Sequence, residues 1–305
     1  MTGLARPIRD ICREADRTGS GGDRWLFFKV QLAAVKGHWM LTESQREELR
    51  AFTLYVRRCT VPLIRESDSQ AYIEGTGTLF AVNSQHYLVT AAHVLEDRIA
   101  SNQLEQIGIR LGETSNEVSN LGNARIETFR QIGPFDAAII RFEQPELIAA
   151  LQKGWRFLTP TDLSAIRADM SKCLVAGYPV ATSWKTGWNF SAKFICYASR
   201  LLREVPAEAR EVREGLDIFI EHQERGEDLD GAISKTPALA GVSGASIWGI
   251  LHGSASAESR LKVIGVETDC RPGSYIRGKD WKLVSLMFRR FDERAFEEIE
   301  AVLNA

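Results

Sequence analysis

The sequence lacks the features that mark a secreted miniprotein, a membrane protein or a nucleic-acid-binding protein. Its five cysteines are an odd number, lie far apart and include no C-x-x-C pair, so neither a disulfide framework nor a zinc site is predicted. No segment approaches the run of about 18 apolar residues that indicates a transmembrane helix. The 38 Lys and Arg residues are balanced by 40 Asp and Glu residues, so no chain-wide basic field favours a nucleic-acid partner.

The composition is that of an ordinary globular protein. The chain has 305 residues, of which 44% are hydrophobic and 26% are charged, and this length accommodates about two domains. Residues 1–20 are rich in charge and contain no apolar stretch typical of a signal peptide. We therefore expect a cytoplasmic protein with reduced cysteines, no membrane association and no nucleic-acid partner.

The beginning of the chain has helical spacing of its apolar residues. Residues 42–45 have the form of a capping box, and apolar residues then recur on one face, which predicts a helix over 43–57. We expect residues 1–58 to form a helical N-terminal extension. The end of the chain is similar, because apolar residues on one face predict a C-terminal helix within 291–305 that closes over the preceding unit.

Between these ends the pattern changes to short β-branched and aromatic runs separated by polar turns, which predicts two β units in series, 59–150 and 151–290. Half of the residues in 203–230 are charged, which indicates an exposed insertion in the second unit. The strands are predicted at 76–82, 87–90, 107–111, 124–129, 137–142, 173–177, 190–197, 217–221, 245–251 and 261–267.

Three short segments carry residue types that serve nucleophilic catalysis. An apolar strand pattern ends in small residues and the single His93, a setting that suits a general base at the edge of a cleft. Asp136 opens another apolar strand, where it either caps a turn or accepts a hydrogen bond from an imidazole. Ser243 stands between Gly241 and Gly244, which permit a tight turn with inward-pointing N–H groups. Each segment alone also fits a structural role.

The order of the three residues along the chain favours catalysis. With His93 first, Asp136 second and Ser243 third, the sequence resembles the trypsin-like (chymotrypsin-fold) serine peptidase family, especially its bacterial branch related to HtrA proteases. An α/β-hydrolase has a G-x-S-x-G motif with its Asp and His after the Ser, whereas here the fifth residue of the motif is Ala245 and the only later histidine is His252, nine residues after Ser243. The segments that carry the resemblance are T-A-A-H-V at 90–94, D-A-A-I at 136–139 and G-V-S-G at 241–244, with further family-like segments at 74–80, 176–179 and 263–267.

The resemblance covers roughly residues 60–290 and implies a mainly β protein with two antiparallel β-barrels of the chymotrypsin/trypsin-like fold. It implies that Ser243 is the nucleophile, that His93 is the general base and that Asp136 orients His93. The backbone N–H groups of Gly241 and Ser243 would form the oxyanion hole. Neither a cofactor nor a metal is required.

The substrate-binding residues that the resemblance implies are Pro237, Val266, Glu267 and Thr268. Pro237 stands where trypsin-like specificity for Lys or Arg would place an Asp, so that position does not support cleavage after basic residues. The acidic side chains of Glu267 and Asp269 near the expected pocket wall keep a preference for basic residues open.

One departure from the family concerns regulation. Val242 occupies the place of the Asp that pairs with a new N-terminus in secreted zymogens, so that activation switch is excluded. The family's G-G-P is replaced by Gly244-Ala245-Ser246, which alters the strand leaving the nucleophile. We expect a serine endopeptidase acting on protein or peptide substrates, regulated by a partner or effector that orders residues 203–242. The alternative is a non-catalytic or conditionally active trypsin-like scaffold that binds a partner protein.

Overall fold

A computed structural model of the chain shows a mainly β protein with two sheets and a few helices. The structure describes residues 29–33, 41–67, 70–100, 106–113, 115, 117–121, 124–128, 135–166, 168–170, 172–186, 189–253 and 256–305.

The first sheet is an antiparallel half-barrel of seven strands in the order β6-β5-β2-β3-β4-β8-β7. Its edges are strands of three and four residues, which offer few backbone hydrogen bonds for closure. No ladder joins these edges within the described residues, so a curled sheet stands where the sequence predicts a closed barrel. The strands are β2 (Thr60–Ser67), β3 (Gln70–Val82), β4 (Gln85–Thr90), β5 (Ile107–Arg110), β6 (Val118–Asn120), β7 (Arg125–Thr128) and β8 (Ala138–Phe142).

The second sheet contains a closed barrel of six strands. The order β13-β18-β17-β16-β9-β12 returns on itself because β12 also pairs with β13. Three further strands, β1, β14 and β15, extend the sheet from β12. The strands are β1 (Lys29–Ala33), β9 (Lys172–Gly177), β12 (Ile195–Leu202), β13 (Asp217–Glu221), β14 (Arg225–Asp228), β15 (Ile233–Lys235), β16 (Ser246–Ile250), β17 (Leu261–Arg271) and β18 (Tyr275–Asp280); β10 (Ser183–Thr186) and β11 (Asn189–Ala192) form a separate hairpin.

The predicted helix at 43–57 is confirmed, and its capping box is present at Thr42 and Gln45. The helix predicted within 291–305 is confirmed as Glu293–Leu303, and a further helix, Trp281–Phe291, precedes it. The helices are α1 (Glu43–Arg57), α2 (Ala92–Ala100), α3 (Pro145–Gly154), α4 (Ala257–Arg260), α5 (Trp281–Phe291) and α6 (Glu293–Leu303).

The helices at the end of the chain contact both units. Phe288 on α5 packs edge-to-face on Tyr87 of β4, and the Tyr87 hydroxyl donates to Asp292 at 2.9 Å. The Asn83 N–H donates to Glu298 on α6. Helix α5 also contacts β17 and β18 of the second sheet, and α6 contacts the segment Pro160–Asp162.

The N-terminal extension is not wholly helical, because β1 precedes α1. Strand β1 runs parallel to β12 and antiparallel to β14. Its place in the sheet is set by pairing with strands that lie more than 150 residues further along the chain. The spacing of apolar residues within 1–58 carries no information about such pairing. Residues 1–28 and 34–40 of the predicted extension lie outside the described residues.

The charged segment 203–230 is not simply an exposed insertion. It contains the barrel strand β13, whose Ile218, Phe219 and Ile220 are buried, and the strand β14. Its charges are accommodated because several of them are paired: Asp217 is almost fully buried between Arg277 and Lys279. The structure thus has strands of this segment in the second sheet, and its ordering by a partner or effector stays a prediction.

Three apolar clusters form the core. One lies inside the half-barrel around Leu79 and Leu88, and one inside the closed barrel around Val175 and Ile247. The largest lies between the two sheets and the helices, with Trp281 as one of its fully buried members. This central cluster holds the two sheets against each other and so positions the segments described next.

Candidate active site

His93 lies in the first turn of α2, directly after strand β4. Ala91 and Ala92 before it are buried, whereas 44% of the His93 side chain is exposed. The Thr90 hydroxyl at the end of β4 donates to Thr76 O on the adjacent strand at 2.7 Å. Small buried residues and this hydrogen bond therefore anchor the segment while the imidazole faces solvent.

Asp136 precedes β8 and makes two hydrogen bonds with His93. Its Oδ1 accepts from the His93 backbone N–H at 2.8 Å, and its Oδ2 lies 2.6 Å from His93 Nδ1. A carboxylate only accepts hydrogen bonds, so Nδ1 carries the proton and Nε2 of the neutral ring presents its lone pair. The arrangement provides an oriented base.

The charge state of His93 responds to this pairing. Hydrogen bonding to Asp136 raises the pKa of His93, and the charges of Asp136 and Asp269 act in the same direction, whereas burial opposes them. The raised pKa means that the imidazolium form is stabilised, which is what a base needs at the moment it takes a proton.

Ser243 lies in the turn that leads into β16. Gly241 and Gly244 on either side both have a φ of +92°, a conformation that glycine adopts without strain. A Cβ built on Gly244 would lie 2.0 Å from Thr90 Oγ1 and 2.8 Å from Ala91 N. The turn therefore packs directly on the residues that precede His93, and only glycine fits there.

The hydrogen bonds of this turn leave two donors free. Three of its N–H groups are used: Val242 N donates to Leu239 O, Gly244 N to Glu267 O and Ala245 N to Val242 O. Within the described part of the chain, the N–H groups of Gly241 and Ser243 have no acceptor. These are the two donors that the sequence analysis assigns to an oxyanion hole.

Glu267 is a buried acid beside the turn. Its side chain is 1% exposed, and its Oε2 is buried without a hydrogen-bond partner among the described residues. Burial and the charges of Asp269 and Asp136 raise its pKa well above 4.5, although hydrogen bonding to Ser243 opposes this. Burial therefore favours the neutral form of the Glu267 carboxyl.

The Ser243 side chain interacts with this carboxyl, and the interaction lowers the pKa of Glu267. Within the described residues no hydrogen bond joins the Ser243 hydroxyl to His93. The fold thus brings the segments of His93, Asp136 and Ser243 together without a hydrogen bond between the serine and the base.

The residues predicted to bind substrate lie in two places. Val266, Glu267 and Thr268 are on β17 directly beside the turn, since Glu267 N donates to Ala245 O at 2.7 Å. All three side chains are buried. Pro237 is half-buried in the segment between β15 and the turn. Their contact with substrate stays a prediction.

Two interactions near the site were not identified from the sequence. The Thr76 side chain bonds to the Ser243 turn, and its only sequence signal is its position in the family-like segment 74–80. The raised pKa of Glu267 could not be predicted from its neighbours in the sequence, because it is caused by burial under segments that lie far away along the chain.

The described part of the chain offers no group of three or more His, Cys, Asp or Glu side chains placed to hold a metal ion. The four cysteines that the structure describes are all unpaired, and three of them are buried; Cys12 lies outside the described residues. Among the described helices, none combines the length and the apolar character needed to cross a membrane.

Comparisons with known proteins identify no family. No protein-family model matches the chain, and no curated protein matches it. It is similar to a solved structure from work on aromatic interactions that drive the coupled folding and binding of the intrinsically disordered Sesbania mosaic virus VPg protein. The two chains are 15% identical over 74% of this chain and 87% of that chain, with a TM-score of 0.42, and a similarity of this degree supports no inference about function.

Proposed function

We propose that this protein is a cytoplasmic serine endopeptidase of the trypsin-like family, related to its HtrA branch, with the half-barrel and the closed barrel as the two barrels of that fold. The observation that carries the proposal is the oriented His93–Asp136 pair packed against a glycine-bounded Ser243 turn with two free N–H groups. An oriented base, a nucleophile and oxyanion donors are the parts that acyl transfer requires.

Acylation begins with a rotation of the Ser243 side chain that brings Oγ to His93 Nε2. Such rotations take picoseconds to nanoseconds for exposed side chains and are not limiting. Oγ attacks the carbonyl carbon of the scissile bond while Nε2 takes the hydroxyl proton. The carbonyl electron pair moves onto its oxygen, which the N–H groups of Gly241 and Ser243 stabilise; in comparable sites one such donor contributes about 3 kcal/mol.

Collapse of the tetrahedral intermediate breaks the C–N bond. His93 returns the proton to the leaving amine, and an acyl ester remains on Ser243. Water then attacks the ester with the same base and the same oxyanion donors, which releases the carboxylic acid and restores the hydroxyl. Asp136 stabilises each imidazolium that forms through its hydrogen bond with Nδ1.

The experiment that tests the proposal is labelling of the purified full chain with a fluorophosphonate probe. We expect the wild-type protein to be labelled and the variants Ser243→Ala and His93→Gln to lose the label. The matched control is Ser256→Ala, which removes an exposed serine hydroxyl outside the turn. Labelling of Ser243→Ala at the wild-type rate would refute Ser243 as the nucleophile.

The second candidate is a non-catalytic or conditionally active scaffold that binds a partner protein. The observation that favours it is that, within the described residues, no hydrogen bond joins the Ser243 hydroxyl to His93, whose Nδ1 is paired with Asp136. On this reading the wild-type protein resists the probe on its own and becomes reactive only with a partner or effector. The absence of labelling, together with a correctly folded chain by circular dichroism, would favour this candidate over the constitutive enzyme.

A further inference from the structure

Thr76 on β3 connects the half-barrel to the Ser243 turn. Its hydroxyl donates to Gly241 O at 2.8 Å, and its backbone N–H donates to Ser243 O at 2.9 Å. The same hydroxyl accepts from the Tyr178 N–H at 3.2 Å. One residue of the first sheet therefore holds two carbonyl groups of the turn and the end of β9.

These bonds hold alternate peptide planes of the turn. The plane between Gly241 and Val242 is fixed at its oxygen by the Thr76 hydroxyl, and the plane between Ser243 and Gly244 is fixed at its oxygen by the Thr76 N–H. The free N–H group of Ser243 belongs to the plane between these two, and that of Gly241 belongs to the plane before them. Both of those planes are also held at their oxygens, by the Ala245 N–H on Val242 O and the Val180 N–H on Ala240 O. Since adjacent planes share Cα atoms, the bonds from Thr76 complete the set that orients the two free N–H groups.

The hydroxyl is held tightly and without access to water. Thr76 is fully buried, and a Cβ built on Gly177 would lie 2.8 Å from its Oγ1. A threonine hydroxyl has one donor and two acceptor positions, and here the donor serves Gly241 O while Tyr178 N–H uses an acceptor position. Removing the hydroxyl leaves both of these backbone groups buried and unpaired, which favours rearrangement of the turn.

Thr76 also contacts the segment of the base. Its carbonyl oxygen accepts from the Thr90 hydroxyl, three residues before His93. The nucleophile turn and the His93 segment thus share one anchoring residue.

We propose that Thr76 is a positioning residue of the catalytic site, whose hydroxyl is required for the productive direction of the Gly241 and Ser243 N–H groups. The inference rests on the proposed function. It adds to the proposed site a residue of the first sheet that helps to hold the oxyanion donors, which lie in the turn before β16 of the second sheet. Thr76 touches no reacting atom and acts only through the turn.

The test compares three variants of the full chain. Thr76→Val removes the hydroxyl at nearly constant volume, and Thr76→Ser keeps it. The matched control is Thr78→Val: Thr78 is equally buried two residues along the same strand, and its hydroxyl bonds to Ser246 rather than to the turn. The readout is the second-order rate constant of labelling by the fluorophosphonate probe, measured as a function of pH.

We expect Thr76→Val to label about 10- to 100-fold more slowly than the wild type, while Thr76→Ser and Thr78→Val stay within about threefold of it. The midpoint of the pH profile should not move, because the contact of His93 with Asp136 is intact. Labelling of Thr76→Val at the rate of Thr78→Val, or a failure of Thr76→Ser to restore the rate, overturns the inference.

A second measurement separates this inference from the proposed function. In protein labelled with [15N]glycine, the amide signals of Gly241 and Gly244 report the turn without any catalysis. We expect Thr76→Val, and not Thr78→Val, to shift or broaden both signals. If the wild-type protein is never labelled by the probe, the proposed function fails. Equal spectra of Thr76→Val and Thr78→Val would overturn the positioning role of Thr76, whether or not the probe reacts.

Discussion

Replacing Asp217 by Asn should destabilise the closed barrel more than any change to an exposed ion pair. The Asp217 carboxylate is 1% exposed and accepts hydrogen bonds from Lys279 Nζ at 2.5 Å and from Arg277 Nη2 at 2.8 Å. Burial raises its pKa, but the bonds from Arg277, the Arg213 N–H and Lys279 outweigh burial, so the pKa lies below its usual value. The ionised form is therefore the native one.

The expected magnitude follows from what the substitution leaves behind. The Lys279 side chain is only 3% exposed, and Asp217→Asn removes its anionic partner. Removing one partner of a buried ion pair lowers the free energy of unfolding by about 3–5 kcal/mol. In Lys279→Met the carboxylate keeps Arg277, so the loss should be nearer the value for one hydrogen bond to a charged group, about 1.5–3 kcal/mol.

The assay is urea unfolding at neutral pH followed by circular dichroism, with free energies from linear extrapolation. The control is Glu143→Gln, which breaks the exposed pair with Arg141 and should cost at most about 1 kcal/mol. Because the pKa of Asp217 is lowered, its stabilising effect is present above the ordinary value of 3.8 and fades as pH falls through the folded-state pKa. An Asp217→Asn variant as stable as Glu143→Gln would refute this account of the charged segment.

Two further predictions concern the site. Because Asp136 raises the pKa of His93 above 6.5, the labelling rate of the wild type should fall with decreasing pH, with a midpoint above that value. The variant Asp136→Asn should have a lower midpoint and should be labelled roughly 10³- to 10⁴-fold more slowly. An unchanged pH profile in this variant would contradict the role assigned to Asp136. Glu267→Gln removes an acid whose raised pKa makes the folded protein less stable as pH rises above 4.5. Thermal melting from pH 5 to 9 should therefore show the variant gaining stability relative to wild type, whereas parallel curves would contradict the buried neutral acid.

Local patterns predicted most of the secondary structure. The helix over 43–57 and its capping box are visible in neighbouring residues alone, and so is strand 217–221, which matches β13. The predicted strand 190–197 spans parts of two observed strands, β11 and β12, because two residues between them break the ladder without breaking the apolar pattern. The local settings of His93, Asp136 and Ser243 could likewise be predicted from the sequence, since each depends on the residues directly beside it.

The relations between distant segments depend on the tertiary structure. Strand β1 joins the second sheet through β12 and β14, and the barrel closes through β12 and β13. No pattern within a few residues encodes these pairings, because a strand edge accepts any partner of suitable length and register. The placement of α5 and α6 on the half-barrel has the same origin.

By itself, the sequence determined which side chains are available for chemistry and the backbone freedom around them: an imidazole after small residues, an acid before a strand, and a serine between glycines. Only the tertiary structure decided that Asp136 reaches His93, that Thr76 holds the Ser243 turn, and that Glu267 lies buried against the serine hydroxyl. The reason is physical: hydrogen bonds and pKa values depend on distance and burial, and both are set by contacts between segments that lie far apart in the chain.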